Sequence, residues 1–250
     1  MIHQKQPVIV RAAGWLLFLP LAVFAQNPQT RAPATPQASA PEDLTGYWVS
    51  LVTEDWRFRM LTPPKGDYAS VPLNPAAKKI ADAWDPAKDE AAHNECKAYG
   101  AAAIMRVPGR LHISWENEST LRIETDAGTQ VRMLHFGGAS SNQAPQWQGY
   151  SAANWQIFTV RDAPPRGGYL KVVTRAMRPG YLRKNGVPYS GNAVLTEYYT
   201  RVTEQNGDSY LIVTSIVNDP EYLTEPFTTS SNFKKIPDGA GWNPTPCSAR

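Results

Sequence analysis

From residue 110 to residue 236 the chain repeats one device, and no other feature narrows its fold as much. Runs of six to thirteen residues rich in β-branched and aromatic side chains are cut by short turn signals. "RLHISWE", "TLRIET" and "TQVRMLHF" are separated by "NES" and "DAG"; "GYSAANWQIFTV", "GYLKVVTRAM", "NAVLTEYYTRVTE", "DSYLIVTSIVND" and "EPFTTSSNFKKI" follow. Apolar residues at every second position between polar breaks mark half-buried strands. An earlier stretch, "TGYWVSLVTEDWRFRM" (45–60), reads as a strand, a break at Glu54–Asp55 and a second short strand. The total is about eight to ten strands, mainly antiparallel. The pattern predicts a mainly β fold, a single antiparallel lipocalin-like barrel, because sequential hairpins close on themselves and leave no edge. A two-sheet β-sandwich is the alternative.

Two short helices precede the strands. In "LNPAAKKIADAWDP", Asn74 is a helix N-cap and Pro75 fits the first helical position. Asp85 and Pro86 repeat the signal, opening a helix through "AKDEAAHNECKAYG" that stops at Gly100. The late strands, such as "YLIVTSIV", are apolar on both faces, which predicts a cover, supplied by these helices.

The period of two sorts the first three meander strands into faces. Leu111, Ile113, Trp115, Leu121, Ile123, Val131 and Met133 share one; Arg110, His112, Glu116, Arg122, Glu124 and Arg132 share the other, a mixed-sign set expected in solvent. His135 has the apolar parity and is expected to point inward.

The first 25 residues stand apart. Lys5 and Arg11 precede a 14-residue apolar run with Val23 and Ala25 at its end, which predicts a cleaved secretory signal peptide, too short for a spanning helix. Residues 26–41, rich in Pro and Ala, read as a disordered linker, and residues 42–250 as one β-rich domain. The expected location is the periplasm or the exterior. Without Lys5 and Arg11, the 25 basic and 22 acidic residues leave a net charge of about +1. That balance and the lack of basic runs argue against nucleic acid, and no other stretch is apolar for long enough to span a membrane. The two cysteines, Cys96 and Cys247, are expected to form a disulfide in an oxidising compartment.

Catalytic and metal motifs are absent: no G-x-S-x-G, no H-E-x-x-H, no phosphate-binding loop, no dinucleotide fingerprint. No metal and no cofactor is expected, since His112 and His135 fall on opposite strand faces. His135 is either a general base in a cavity or a hydrogen-bonded core histidine. Glu197, in "LTEYYTR", is either a structural ion-pair partner or an inward carboxylate, costly unless paired. Trp147 and Trp155 are candidates for stacking on a flat ligand.

The longest equipped connection is "RPGYLRKNGVPYSGN" (178–192). It offers cations at Arg178, Arg183 and Lys184, phenols at Tyr181 and Tyr189, and amides at Asn185 and Asn192. Its tight-turn dipeptides predict an ordered loop. It is either a lid that binds a small polar, anionic or aromatic ligand, or an Ω-type plug that closes one end of the barrel.

Five segments, "TGYWVSLVTEDWRFRM", "CKAYGAAAIMRVPGRLHISW", "TDAGTQVRMLHF", "MRPGYLRKNGVPYS" and "GWNPTPCSAR", resemble an uncharacterised family of secreted bacterial proteins. The resemblance implies export and a lipocalin-like β-rich shape; it carries no activity and no functional residue. Three functional classes therefore remain. The first is an exported barrel binding a small-molecule ligand. The second is a cofactor-free enzyme (isomerase, hydratase, lyase or glycan-acting hydrolase) using His135, Glu197, Tyr189 and Arg183. The third is a structural or partner-binding envelope protein, for which an exposed apolar patch is expected.

Overall fold

The computed structural model describes residues 1–4, 34–138, 143–159, 161 and 167–250. The chain divides into two units, Met1–Pro33 and Ala34–Arg250. Residues 5–25 of the expected signal peptide and 26–33 of the expected linker lie outside the described residues. Everything below concerns the second unit.

Nine strands close a barrel. In chain order the strands are β1 (Gly46–Leu51), β2 (Arg110–Asn117), β3 (Thr120–Thr125), β4 (Gln130–Phe136), β5 (Tyr150–Ile157), β6 (Gly168–Arg175), β7 (Gly180–Arg183), β8 (Val187–Tyr189), β9 (Val194–Thr203), β10 (Ser209–Asn218) and β11 (Phe227–Ile236). Around the barrel the order is β1-β11-β10-β9-β6-β5-β4-β3-β2, with β7 and β8 forming a separate hairpin. The sandwich alternative is thereby excluded.

One neighbour pair departs from the antiparallel expectation. β4 and β5 are parallel, Leu134 lying opposite Ser151 and Phe136 opposite Ala153. Parity explains it: a ring of nine strands cannot alternate direction all the way round, so one pair must be parallel. The connection leaving β4 at Gly137 returns to the barrel end where β4 began, which is what a parallel partner requires.

The interior is mainly apolar. Trp48, Ile113, Leu121, Ile123, Leu134, Leu170, Tyr199 and Phe233 are essentially inaccessible to solvent. β4 corrects the expected faces. Its register sets Arg132 opposite Ile123 and Leu134 opposite Leu121, so its even residues point inward. Arg132 is buried rather than solvated, whereas Val131 is exposed and Met133 and His135 lie half-buried on the outside. His135 stacks on Tyr150 with ring centroids 4.9 Å apart. The sequence "VRMLHF" carries apolar residues at both parities, so period alone cannot orient it.

The segment before β1 closes one end of the barrel. Leu44 is buried there, Trp155 Nε1 donates to the Pro36 carbonyl at 2.8 Å, and Arg201 N donates to Glu42 at 2.8 Å. The opposite end is covered by everything between β1 and β2 together with the β7–β8 hairpin. Here lie α1 (Trp56–Arg59), α2 (Pro75–Asp82), α3 (Pro86–Ala91), a 3-10 turn (Glu95–Tyr99) and α4 (Ala101–Ile104). Both predicted N-caps form: Asn74 Oδ1 accepts from Ala77 N at 2.9 Å, and Asp85 Oδ1 accepts from Ala87 N at 3.0 Å. The second predicted helix is shorter than expected, because His93 adopts φ 54° and breaks it before the 3-10 turn. The expected second strand of residues 45–60 is instead the helical turn α1, entered through Asp55 at φ 51°.

α2, the 3-10 turn and α4 pack on β7 and β8, not as an outer jacket on the late strands. Leu182, Val187 and Tyr189 of the hairpin join Met177, Leu195, Val217 and Phe227 from the strand ends in a second core cluster. The predicted disulfide, Cys96–Cys247, ties the C-terminal tail to the 3-10 turn. No helix among the described residues is long and apolar enough to cross a membrane.

Candidate functional site

Three arginines that sequence reasoning did not bring together converge beside the plugged end. Arg59 ends α1, Arg106 follows α4, and Arg183 ends β7. Each is less than a tenth exposed, at 8%, 6% and 3% respectively. All three line a cleft of about 460 Å³, walled by residues 58–62, by Ala98, Tyr99, Ala103 and 106–108, by 182–184, and by Ala127, Thr245 and Arg250.

Local structure explains how they are held. The acidic pair Glu54–Asp55 follows β1, and the left-handed Asp55 turns the chain so that its carbonyl accepts from Phe58 N at 2.8 Å. Glu54, held by Asn232 Nδ2 at 3.1 Å, pairs with Arg59 Nη1. Arg59 Nε donates to the Arg106 carbonyl at 2.9 Å, and Arg106 Nη1 donates to Asp55 at 3.0 Å. Arg183 Nη1 donates to the Ala69 carbonyl at 2.7 Å, and its guanidinium lies 3.9 Å from the Phe58 ring centre.

The remaining donors are unspent. Arg59 Nη2, Arg106 Nη2, and Arg183 Nε and Nη2 are buried and have no hydrogen-bond partner among the described residues. Leaving a buried charged donor unpaired is costly, typically about 1–3 kcal/mol or more for a charged group. Electrostatics agree. Burial, then the nearby Arg106 charge, pushes the Arg183 guanidinium down to about 10. Arg59 and Arg106 each face a carboxylate, and Arg250 faces Glu90 at 2.9 Å. Among the described residues, Arg183 and Lys184 form no ion pair with a side-chain carboxylate.

Of the residues singled out in the sequence, only Arg183 and Lys184 contribute functional groups to this cleft. Tyr181 donates to Asp89 at 2.7 Å, beside the Lys97–Asp89 pair. Asn185 is fully buried and donates to the Pro64 and Asp67 carbonyls at 3.1 and 3.0 Å. Asn192 donates to Glu221 at 3.1 Å. Arg178 stacks over Trp147, 4.1 Å from its ring centre. Trp155 lies in the wall of a different cleft, at the far end of the barrel.

The four residues considered for catalysis occupy four different settings. His135 is outside the barrel, and burial lowers its pKa from 6.5. Glu197 is inside, gripped by both Nη atoms of Arg132 at 3.1 and 2.6 Å. Tyr199 and Thr174 complete that buried network, and Ser151 bonds Thr174 at 2.8 Å. Tyr189 is wholly buried in the plug, its hydroxyl unpartnered among the described residues. Of the four, Arg183 alone lines the cleft. Among the described residues, no group of three or more His, Cys, Asp or Glu could hold a metal ion.

The sequence offered one usable signal for the missed arginines. "DWRFRM" places two arginines beside the acidic pair, a pattern that suits a charged turn better than a strand. Arg106 lies 47 residues further on, and only the tertiary fold joins it to Arg59. Compared with family models, with curated proteins and with solved structures, the chain matches none of them.

Proposed function

We propose that this protein is an exported β-barrel that binds a small anionic molecule in the arginine-lined cleft outside the plugged barrel end. The observation that carries the reading is the set of unspent guanidinium donors on three arginines, all more than nine-tenths buried. Such donors favour a bound oxyanion, because charge-assisted hydrogen bonds gain strength where solvent is excluded. The cleft volume of about 460 Å³ falls within the size of small-molecule sites. In this reading the 178–192 loop has two roles. Its buried side chains plug the barrel, and its 182–184 edge forms one wall of the site.

The test is a thermal-shift titration of the disulfide-intact protein with benzoate, phenyl phosphate and glucose. Anions are expected to raise the melting temperature and glucose to leave it unchanged. Arg106→Gln is expected to abolish the anion response while the protein still unfolds cooperatively. A melting temperature indifferent to every anion would refute the reading.

A further inference from the structure

The charge and donor pattern of the cleft narrows the ligand further. Resting on the anion-binding reading above, we infer that the cleft recognises the dianionic head of an organic phosphate monoester whose remaining part is apolar or aromatic.

Charge comes first. Glu54, Asp55 and Glu90 already face Arg59, Arg106 and Arg250, so the carboxylates at the cleft match three of its cations. Arg183 and Lys184, two positive charges on adjacent residues of one hairpin, face no side-chain carboxylate among the described residues; Lys184 Nζ donates instead to the Arg250 main-chain oxygen at 3.4 Å. A monocarboxylate or a sulfate ester neutralises one of them. A phosphate monoester, carrying between one and a half and two charges at neutral pH, matches both.

Donor geometry points the same way. The four unspent nitrogens lie just beneath the cleft surface, on three side chains arriving from α1, from the segment after α4 and from β7. Donors arriving from separate directions suit the three terminal oxygens of a tetrahedral phosphate, whereas a planar carboxylate presents two oxygens to one side. Guanidinium groups are the usual donors for such an oxyanion. Lys184 adds a point charge at the edge, its Nζ 5.0 Å from the Tyr99 ring centre and 3.4 Å from the Arg250 main-chain oxygen.

The rest of the cleft is unsuited to a bare ion. Phe58, Tyr99, Val107 and Leu182 line it, and Met60 and Leu61 stand exposed at its rim. These surfaces have room and reason to cover an apolar ester group, which inorganic phosphate lacks.

Calorimetric titrations with phenyl phosphate, phenyl sulfate, benzoate, phthalate and inorganic phosphate test this. Phenyl phosphate is expected to bind about tenfold or more tightly than each of the others, a difference of about 1.4 kcal/mol. Its affinity is expected to fall between pH 7.5 and pH 5, as the phosphate takes up its second proton near pH 6. Lys184→Gln, a change at a half-buried surface position, is expected to reduce the preference for phenyl phosphate over phenyl sulfate while leaving the melting temperature of the free protein unchanged. Equal affinity for benzoate, phenyl sulfate or phthalate would overturn the phosphate assignment and leave the anion site standing. Equal affinity for inorganic phosphate would overturn the apolar ester part. Failure of all five to bind would remove both readings.

Discussion

Arg132 and Glu197 show what one residue can decide inside a barrel. Both are inaccessible to solvent, and the pair is bidentate. Burial opposes the charge on Arg132, yet the Glu197 carboxylate holds its guanidinium above the ordinary value. Removing one partner strands the other charge in an apolar interior, so Arg132→Met or Glu197→Met alone is expected to lose about 3–5 kcal/mol. The double variant Arg132→Met with Glu197→Met is expected to lose much less than the two single losses together, because no charge is left behind. Urea unfolding of the four proteins reads this directly; additive losses would contradict it. His135 gives a milder case. Its folded pKa lies below 6.5, so the folded state favours the neutral ring. Its contribution is intact above the unfolded pKa and diminishes as pH falls through about 6.5 and below, where the unfolded chain gains the proton more readily. An NMR titration of its ring protons should give a midpoint below 6.5, and a midpoint above it would refute the assignment.

Among the elements, the β7–β8 hairpin carries two functions in one short segment. Its buried face closes the barrel with Leu182, Val187 and Tyr189, while Arg183 and Lys184 face the cleft. Tyr189 is held for its ring rather than its hydroxyl, which has no partner among the described residues. Tyr189→Phe is therefore expected to change stability by less than about 1 kcal/mol, whereas Tyr189→Ala loses about 3–5 kcal/mol through the cavity it leaves. Chemical denaturation of both variants checks the contrast. Two glycines make the ring's position possible. A Cβ at Gly100 would stand 2.3 Å from the Tyr189 hydroxyl oxygen, and one at Gly180 would stand 2.7 Å from it. The 3-10 turn, α4 and the hairpin approach as closely as they do because those positions lack side chains.

For the whole molecule, the disulfide couples the tail to the plugged end. Cys96 and Cys247 are 151 residues apart, so the bond closes nearly the entire barrel into one loop. The chain-entropy model assigns such a loop about 5 kcal/mol, an upper figure. The tail also supplies cleft wall: Thr245 N donates to the Asp126 carbonyl at 2.9 Å, and Arg250 reaches Glu90. Reduction, or a Cys96→Ser/Cys247→Ser variant, is expected to lower the melting temperature markedly while β-type circular dichroism persists at low temperature. Anion affinity should fall in the same samples, since one wall of the cleft is released. Unchanged affinity after reduction would show that the tail is dispensable to the site.

The barrel was legible from the sequence because strand periodicity is local. Alternation in "RLHISWE", "TLRIET" and "DSYLIVTSIVND" dictates a buried and an open face whatever the neighbours are, and two cysteines have only each other to pair with. The two N-caps were legible for the same reason, since Asn74 and Asp85 act within three residues of themselves. Orientation of β4 was not, because "VRMLHF" is apolar at both parities; the choice fell to Glu197, which gives Arg132 a partner across the barrel. The cleft was not legible either. Arg59, Arg106 and Arg183 each look like an ordinary charged residue in its own segment, and their shared charge and unspent donors exist only where the fold sets them side by side. Local pattern determines which face of a strand is wet; only long-range packing decides which charges must live together.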